Sequence, residues 1–455
     1  MNHGGMVRKM SRGRQVLAAL MIAMFGGATG AAAQQAPDSL AAELLRRLEA
    51  LELQLAEQRA ELERQAALAM EAEALAEKGA EADSAAVDQR QRQVSGIYGR
   101  PFVRRFGSGT ALGGYVDLEL EADLETDAVS FDQHRFIPFI FAEITDRIHF
   151  GRELEFEHGA EEIAVEFAAL DIAFEEWLNV RGGIVLSPLG KFNLIHDSPV
   201  NDLTDRPLVD RAIIPTTLSE AGLGVFGTVY PSELSVLTYE AYLVNGFDEG
   251  LVFDGESLRG TADVRAGRGS QGGDNNANKA LVARLGYSPF LGLEVGGSIH
   301  TGVYAPTDGL VVDGTRLLAG DERLTIVALD GIFNRGPFEV LGEYARATLD
   351  APKGAPAFAT TQQGYYVQGN YHFGHGLVPH FDNSVFTAAV RWDAVDYDAE
   401  REGLGAQRLT FGLNWRPVEE TVFKLDLLND WTLAADTGER SDVRRRIFFS
   451  LATYF

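Results

Sequence analysis

From Leu112 to the C-terminus, apolar and polar residues alternate with period two. Val116, Leu118 and Leu120 share one face, and Asp117, Glu119 and Glu121 share the other. In RIHFGRELEFEHG, Ile148, Phe150, Leu154 and Phe156 oppose His149, Glu153, Glu155 and Glu157. Side chains of a strand point to its two faces in turn, so each such segment reads as a strand with one greasy face and one polar face. The pattern predicts sixteen strands, near 112–122, 134–144, 147–157, 162–174, 177–186, 221–230, 234–245, 279–288, 291–303, 323–333, 337–347, 363–373, 384–394, 407–416, 421–429 and 445–455.

The connections sort by parity. After the second strand, every other connection is turn-like (TDR, EE, YPSE, SPFL, NRGP, RPVEE), with GHGLVPHFDN a longer member of that set. The intervening ones, near 187–220, 246–278, 304–322, 348–362, 395–406 and 430–444, are mostly long and polar. Short turns on one rim and long loops on the other are the layout of an outer-membrane barrel, whereas a soluble sandwich has no reason to separate them. The expected fold class is therefore all-β, a 16-stranded antiparallel transmembrane β-barrel at 112–455. Its last strand, RRRIFFSLATYF, closes against the first and sets its aromatic end at the membrane interface, because hydrocarbon tolerates no unpaired edge.

The front of the chain is different material. Arg8, Lys9, Arg12 and Arg14 precede the apolar stretch Val16 to Phe25 and the small residues Ala31, Ala32 and Ala33, the makings of a signal peptide at 1–33. Residues 34–93 read as an N-terminal α-helical coiled coil. Leu44, Leu48, Leu51, Leu55, Gln58, Leu62, Gln65 and Ala69 repeat at alternating spacings of four and three, and the polar and Ala-rich seam is stable only if copies associate. A linker at 94–111 follows. No later segment has the roughly 18 apolar residues of a membrane-spanning helix.

The net charge is −26, and −30 once the four basic residues of the signal are removed; this speaks against nucleic acid as a partner. There is no cysteine, so disulfides and thiolate chemistry are excluded. Alternation directs Asp117, Glu119, Glu121, Glu153, Glu155, Arg181, Glu240, Arg284, Glu343, Arg391, Arg416, Lys424, Asp426 and Arg446 into the lumen. Lipid alone forces charges inward; opposed acidic and basic walls would also orient passing solutes. The connection at 187–220 carries apolar residues of its own, as a loop that packs inside something does. Folded inward, it would narrow the pore with Lys191, His196, Arg206 and Arg211 among Asp197, Asp202, Asp205 and Asp210.

Other motifs carry little chemistry. GLGVFG at Gly222–Gly227 matches a dinucleotide fingerprint but continues a strand, so its glycines read as room for neighbouring backbone. His372, His375 and His380 fall at a strand end and in a turn without an orienting acid, so no metal or other cofactor is expected.

The segments GGIVLSPLGKFN, YLVNGFD, ARLGYSPF, ALDGIFNRGPFEVLGEY, GYYVQGNYHF and LTFGLNWRP, in this order, resemble the phosphate-selective porin family (porins O and P). The resemblance covers about 110–455 and implies a trimeric porin of sixteen strands whose loops fold inward to a constriction. That family's arginine ladders and lysine cluster do not map position by position onto this chain. The expected function is a non-enzymatic outer-membrane porin of a Gram-negative-type bacterium, its coiled coil in the periplasm, passing small polar or charged solutes, with phosphate or other anions among the candidates and the charge preference left open. The alternatives are a barrel enzyme of lipase or protease type and a structural barrel tethered through its coiled coil.

Overall fold

The computed structural model describes residues 104–105, 109–269, 271–355 and 357–455. The signal peptide, the coiled coil and most of the linker lie outside them. The barrel strands are β1 (Thr110–Asp123), β2 (Val129–Thr145), β3 (Ile148–Glu157), β4 (Glu162–Glu175), β5 (Leu178–Leu186), β6 (Ser219–Ser232), β7 (Ser235–Val244) and β8 (Ala280–Phe290). They continue with β9 (Leu293–Val303), β10 (Arg323–Arg335), β11 (Phe338–Leu349), β12 (Thr361–Phe373), β13 (Val385–Asp396), β14 (Gly405–Val418), β15 (Thr421–Leu433) and β16 (Arg444–Tyr454). Consecutive strands pair antiparallel throughout. β16 closes on β1 in a continuous ladder from Arg446 opposite Asp123 to Tyr454 opposite Tyr115. The result is a closed, all-β, sixteen-stranded barrel, in which no spanning strand is left with an open edge.

Six connections on one rim (146–147, 176–177, 233–234, 291–292, 336–337 and 419–420) have two residues each, and 374–384 completes that rim. The other rim carries 187–218, 245–279, 304–322, 350–360, 397–404 and 434–443, together with two short links, 124–128 and 158–161. β1 starts at Thr110, and Arg104–Arg105 pair back on Ala111 and Leu112. β2 begins at Val129, five residues before the alternation suggests. Asp117 lies opposite Arg135 but Glu119 opposite Asp132, so β2 holds one extra residue there. Such a bulge breaks the two-residue period and hides the strand from pattern reading.

The outward face is apolar: Leu223, Leu243, Leu329, Val367, Leu413 and Leu425 are all exposed. Near the short-turn rim, rings of adjacent strands touch in a row: Phe338, Tyr371, Phe373, Phe386, Trp415, Phe423 and Phe449. Towards the other rim Trp392 lies 6.3 Å from Trp431, and Arg440 covers both. The eight steps from Phe423 to Trp431 span about 27 Å along β15, or roughly 20 Å along the axis at the usual tilt, close to the apolar band of an outer membrane. Phe455 stacks on Phe136 at 5.9 Å, so the chain ends in an outward aromatic pair. Its neighbour Tyr454 turns inward.

Inside, the core is divided. Tyr115, Ile137, Phe139, Phe141, Phe167 and Tyr454 form an aromatic cluster with Leu186 and Leu194. A larger cluster joins Leu189, Val209, Ile213, Ile214 and Leu218 to wall residues such as Tyr242, Ile326 and Tyr366. Most apolar residues of the 187–218 connection are thus buried against the interior of the barrel, Val200 being exposed.

Candidate functional site: the loop-filled lumen

The 187–218 connection crosses the interior and is held to the wall at both ends and in the middle. It contains a short 3-10 turn, Phe192–Leu194, and one helical turn, Leu208–Ala212. At its start, Glu343 of β11 accepts the backbone N–H groups of Lys191 (2.7 Å) and Phe192 (3.1 Å), while the Lys191 Nζ reaches Glu294 at 2.6 Å. Gly190 makes this approach feasible: its φ is +72°, and a Cβ there would lie 2.2 Å from a Glu343 oxygen. His196 sits 3.1 Å from Glu166, both sealed from solvent, and its Nδ1 contacts the Asn193 carbonyl at 2.9 Å. Tyr454 donates its hydroxyl to Asp197 at 2.8 Å.

Further along, the wall cations take hold of the loop. Lys424 donates to the Ser198 carbonyl, Arg416 to the Pro199 carbonyl, and Asn414 to Asp202. Asp426 accepts the Thr204 N–H at 2.6 Å. Asp205 lies 2.6 Å from Arg408 and 3.2 Å from Arg211, and Arg391 donates to its backbone carbonyl. Burial works against the Asp205 charge, but Arg408, Arg211, Arg446 and Arg391 hold its carboxyl below the usual carboxylate range.

Asp210 is the contrary case. It is fully buried, and burial first, then the neighbouring Glu343, push its pKa well above the ordinary value. A group whose pKa rises on folding stabilises the fold below its unfolded pKa, and that contribution is lost as pH rises through the folded value. Loop anchorage is therefore expected to weaken from mildly acidic towards alkaline pH, and Asp210→Asn to reduce that decline. Thermal unfolding of the purified barrel across pH checks this; equal declines in variant and parent exclude Asp210 as the source.

The remaining inward charges pair among themselves. Arg181 binds Asp171 through two contacts of 2.7 Å and lies 3.8 Å from Glu240. Arg284 holds Asp330, and Arg391 holds Asp393 at 2.9 Å. Arg135 reaches Glu157 at 3.0 Å and Glu155 at 3.5 Å. Arg446 joins Glu121 (3.1 Å) and Asp430 (2.9 Å). Asp117 accepts from Ser450, Glu153 is fully buried, and Glu119 lines the mouth cavity described below.

Two polar cavities adjoin at the long-loop end, of about 640 Å³ and 520 Å³, and both are lined by Glu157, Arg206 and Arg265. Arg206 donates to the Thr216 carbonyl; Arg265 donates to the same oxygen at 2.9 Å and Arg268 to that of Thr217 at 2.9 Å. Three guanidiniums from two loops are thereby fixed at the cavity wall. Glu155, Glu157 and Glu162 also line the 640 Å³ cavity, and Glu119, Glu121 and Asp132 line the 520 Å³ one. Arg211 also lines the latter but is half exposed.

Sequence reasoning missed Arg408, Arg135, Glu166, Arg265 and Arg268. Arg408 shares its parity with Arg416 and was within reach of the alternation. Glu166 was not: Glu153 pairs with Phe167 but Leu154 with Val165, so Glu166 is the extra residue of a bulge, and it is buried beside Phe167. Arg265 and Arg268 belong to a loop with no period to read. The glycines of GLGVFG sit in β6; a Cβ at Gly224 would lie 2.0 Å from the Ala241 carbonyl oxygen of β7, so they serve close strand packing. His372 contacts Thr387 at 2.9 Å.

No family model matches the chain. A protein of Aquifex aeolicus without an assigned function is 28% identical over 344 residues, covering 71% of this chain and 76% of that protein. Among solved structures, the anion-selective porin of Comamonas acidovorans superposes with a TM-score of 0.50 at 12% identity, over 76% of this chain and 99% of the porin. OmpF of Salmonella typhi gives 0.49 at 12% identity, over 77% and 99%. The fold is that of the outer-membrane porins; membership of the phosphate-selective family does not follow from these likenesses.

Proposed function

We propose that the chain is a passive outer-membrane porin whose constriction is formed by the 187–218 loop. The observation that carries this reading is the loop itself: anchored across the lumen, it leaves a charged mouth lined by Arg206, Arg265 and Arg268 together with Glu119, Glu155 and Glu157. Fixed charges of opposite sign across a narrow passage orient and filter small polar solutes. The convergent guanidiniums, with donors left over after their carbonyl contacts, favour anions, phosphate among them. Assembly as a homotrimer in outer-membrane lipid, with the N-terminal coiled coil in the periplasm, completes the proposal. The chain end and β1 both start from the short-turn rim, which suits a periplasmic neck.

The barrel-enzyme alternative finds less support. A hydroxyl does meet an imidazole at Thr217 and His196, 2.9 Å apart, but His196 is 2% exposed and its other nitrogen is committed to Asn193. Substrate cannot reach it. Planar-bilayer recording of the purified chain is the test. Stable open channels, with a reversal potential displaced toward the anion limit in a salt gradient, are expected; electrical silence in every salt would end the porin reading.

A further inference from the structure

The bulge in β2 brings His134 and Arg135, neighbours in sequence, to line the same mouth cavity, beside Asp132. The link from β3 to β4 adds a second imidazole. His158, Gly159 and Ala160 all have positive φ, at 50°, 66° and 73°. A left-handed histidine followed by a left-handed alanine is costly and persists where the surroundings require it. Here the turn delivers the His158 Nδ1 to within 2.7 Å of Asp132 Oδ2, and the same oxygen lies 3.4 Å from the His134 Nδ1. The two rings stand edge to face with centroids 5.4 Å apart. Glu119, paired across the sheet with Asp132, brings an oxygen to 4.0 Å from His134.

We infer that Asp132, His134 and His158 form a binding site for a divalent transition-metal ion at the mouth of the barrel, with Glu119 as the fourth ligand. One donor atom from each of the three lies within 4.8 Å of the others. In a tetrahedral zinc site with bonds of about 2.1 Å, neighbouring ligand atoms stand about 3.4 Å apart. The Asp132–His134 distance already meets that spacing, the Asp132–His158 distance needs a small opening, and Glu119 needs a modest side-chain rotation. Two imidazoles with carboxylate oxygens select zinc-like ions over calcium or magnesium, which prefer all-oxygen shells. The Asp132, His134 and His158 side chains remain 25–44% exposed, so an ion can enter from the aqueous side. A second His–carboxylate cluster among the described residues, Glu166, His196 and Asp197, is sealed beneath the loop and tied to Asn193, Thr217 and Tyr454, which suits an anchor.

Calorimetric titration of the detergent-solubilised full chain with ZnCl2 tests the site without requiring that the barrel conduct, so failure here is separable from failure of the porin reading. One Zn2+ per chain is expected. His134→Ala and His158→Asn should each weaken binding about tenfold or more, the lower end of what losing even an outer-shell partner costs. Asparagine tolerates the left-handed backbone of position 158, so this variant keeps the turn. His375→Ala, on the opposite rim, should bind as the parent does. Co2+ should give the intense visible absorption of a four-coordinate site. The inference is overturned by no Zn2+ binding to the parent, by undiminished binding in either His134→Ala or His158→Asn, or by equal loss in His375→Ala.

Discussion

A channel carrying Arg206→Glu together with Arg265→Glu shifts its reversal potential toward the cation limit, its cation-to-anion permeability ratio rising about tenfold, the lower end of what focused charge in a cleft achieves. Both guanidiniums border both mouth cavities, and both are fixed on the Thr216 carbonyl. Reversing them leaves Glu119, Glu155 and Glu157 unopposed by these two cations. Arg211→Glu added to Arg206→Glu should move the potential in the same direction but less, because Arg211 is 52% exposed and already faces Asp205. Solvent screens such a charge, and its partner cancels part of its field. Recording in a KCl gradient decides it; an unmoved potential would remove this end of the loop from the ion path.

Gly190→Val unlatches the start of the loop, and single-channel conductance rises severalfold with added noise. The valine Cβ meets a Glu343 oxygen in a backbone conformation that β-branched residues avoid. Glu343 then loses the N–H groups of Lys191 and Phe192, two hydrogen bonds to a buried carboxylate that together stabilise the closed loop by about 3 kcal/mol. Glu343→Gln keeps a carbonyl acceptor and should have a smaller effect. Unchanged mobility of the unheated protein in denaturing gels would show that the barrel still closes. If the intact Gly190→Val barrel conducts like the parent, the loop does not set the narrowest point.

The barrel was legible because the two solvents impose parity on every strand. Each of the sixteen strands overlaps the segment that the alternation assigns to it, and Arg391, Arg416 and Lys424 contact the 187–218 loop. What escaped the pattern did so for identifiable reasons. The extra residue in β2 and the extra Glu166 in β4 shift the register locally, and each redirects a chemically important side chain. Inward aromatics such as Phe139 and Tyr454 pack with Leu194 of the loop, because a lumen filled by a loop rewards apolar contacts as lipid does.

The sequence by itself determined the number of strands, the inward or outward sense of most side chains and the rim on which each connection lies. Those are local consequences of a two-residue repeat between oil and water. Which charges meet was decided only in three dimensions. The pairing of Asp205 with Arg408, of Lys191 with Glu343 and Glu294, and of Arg265 and Arg206 on one carbonyl joins residues far apart in the chain. No period encodes such partners, since they depend on the path of an irregular loop across a closed wall.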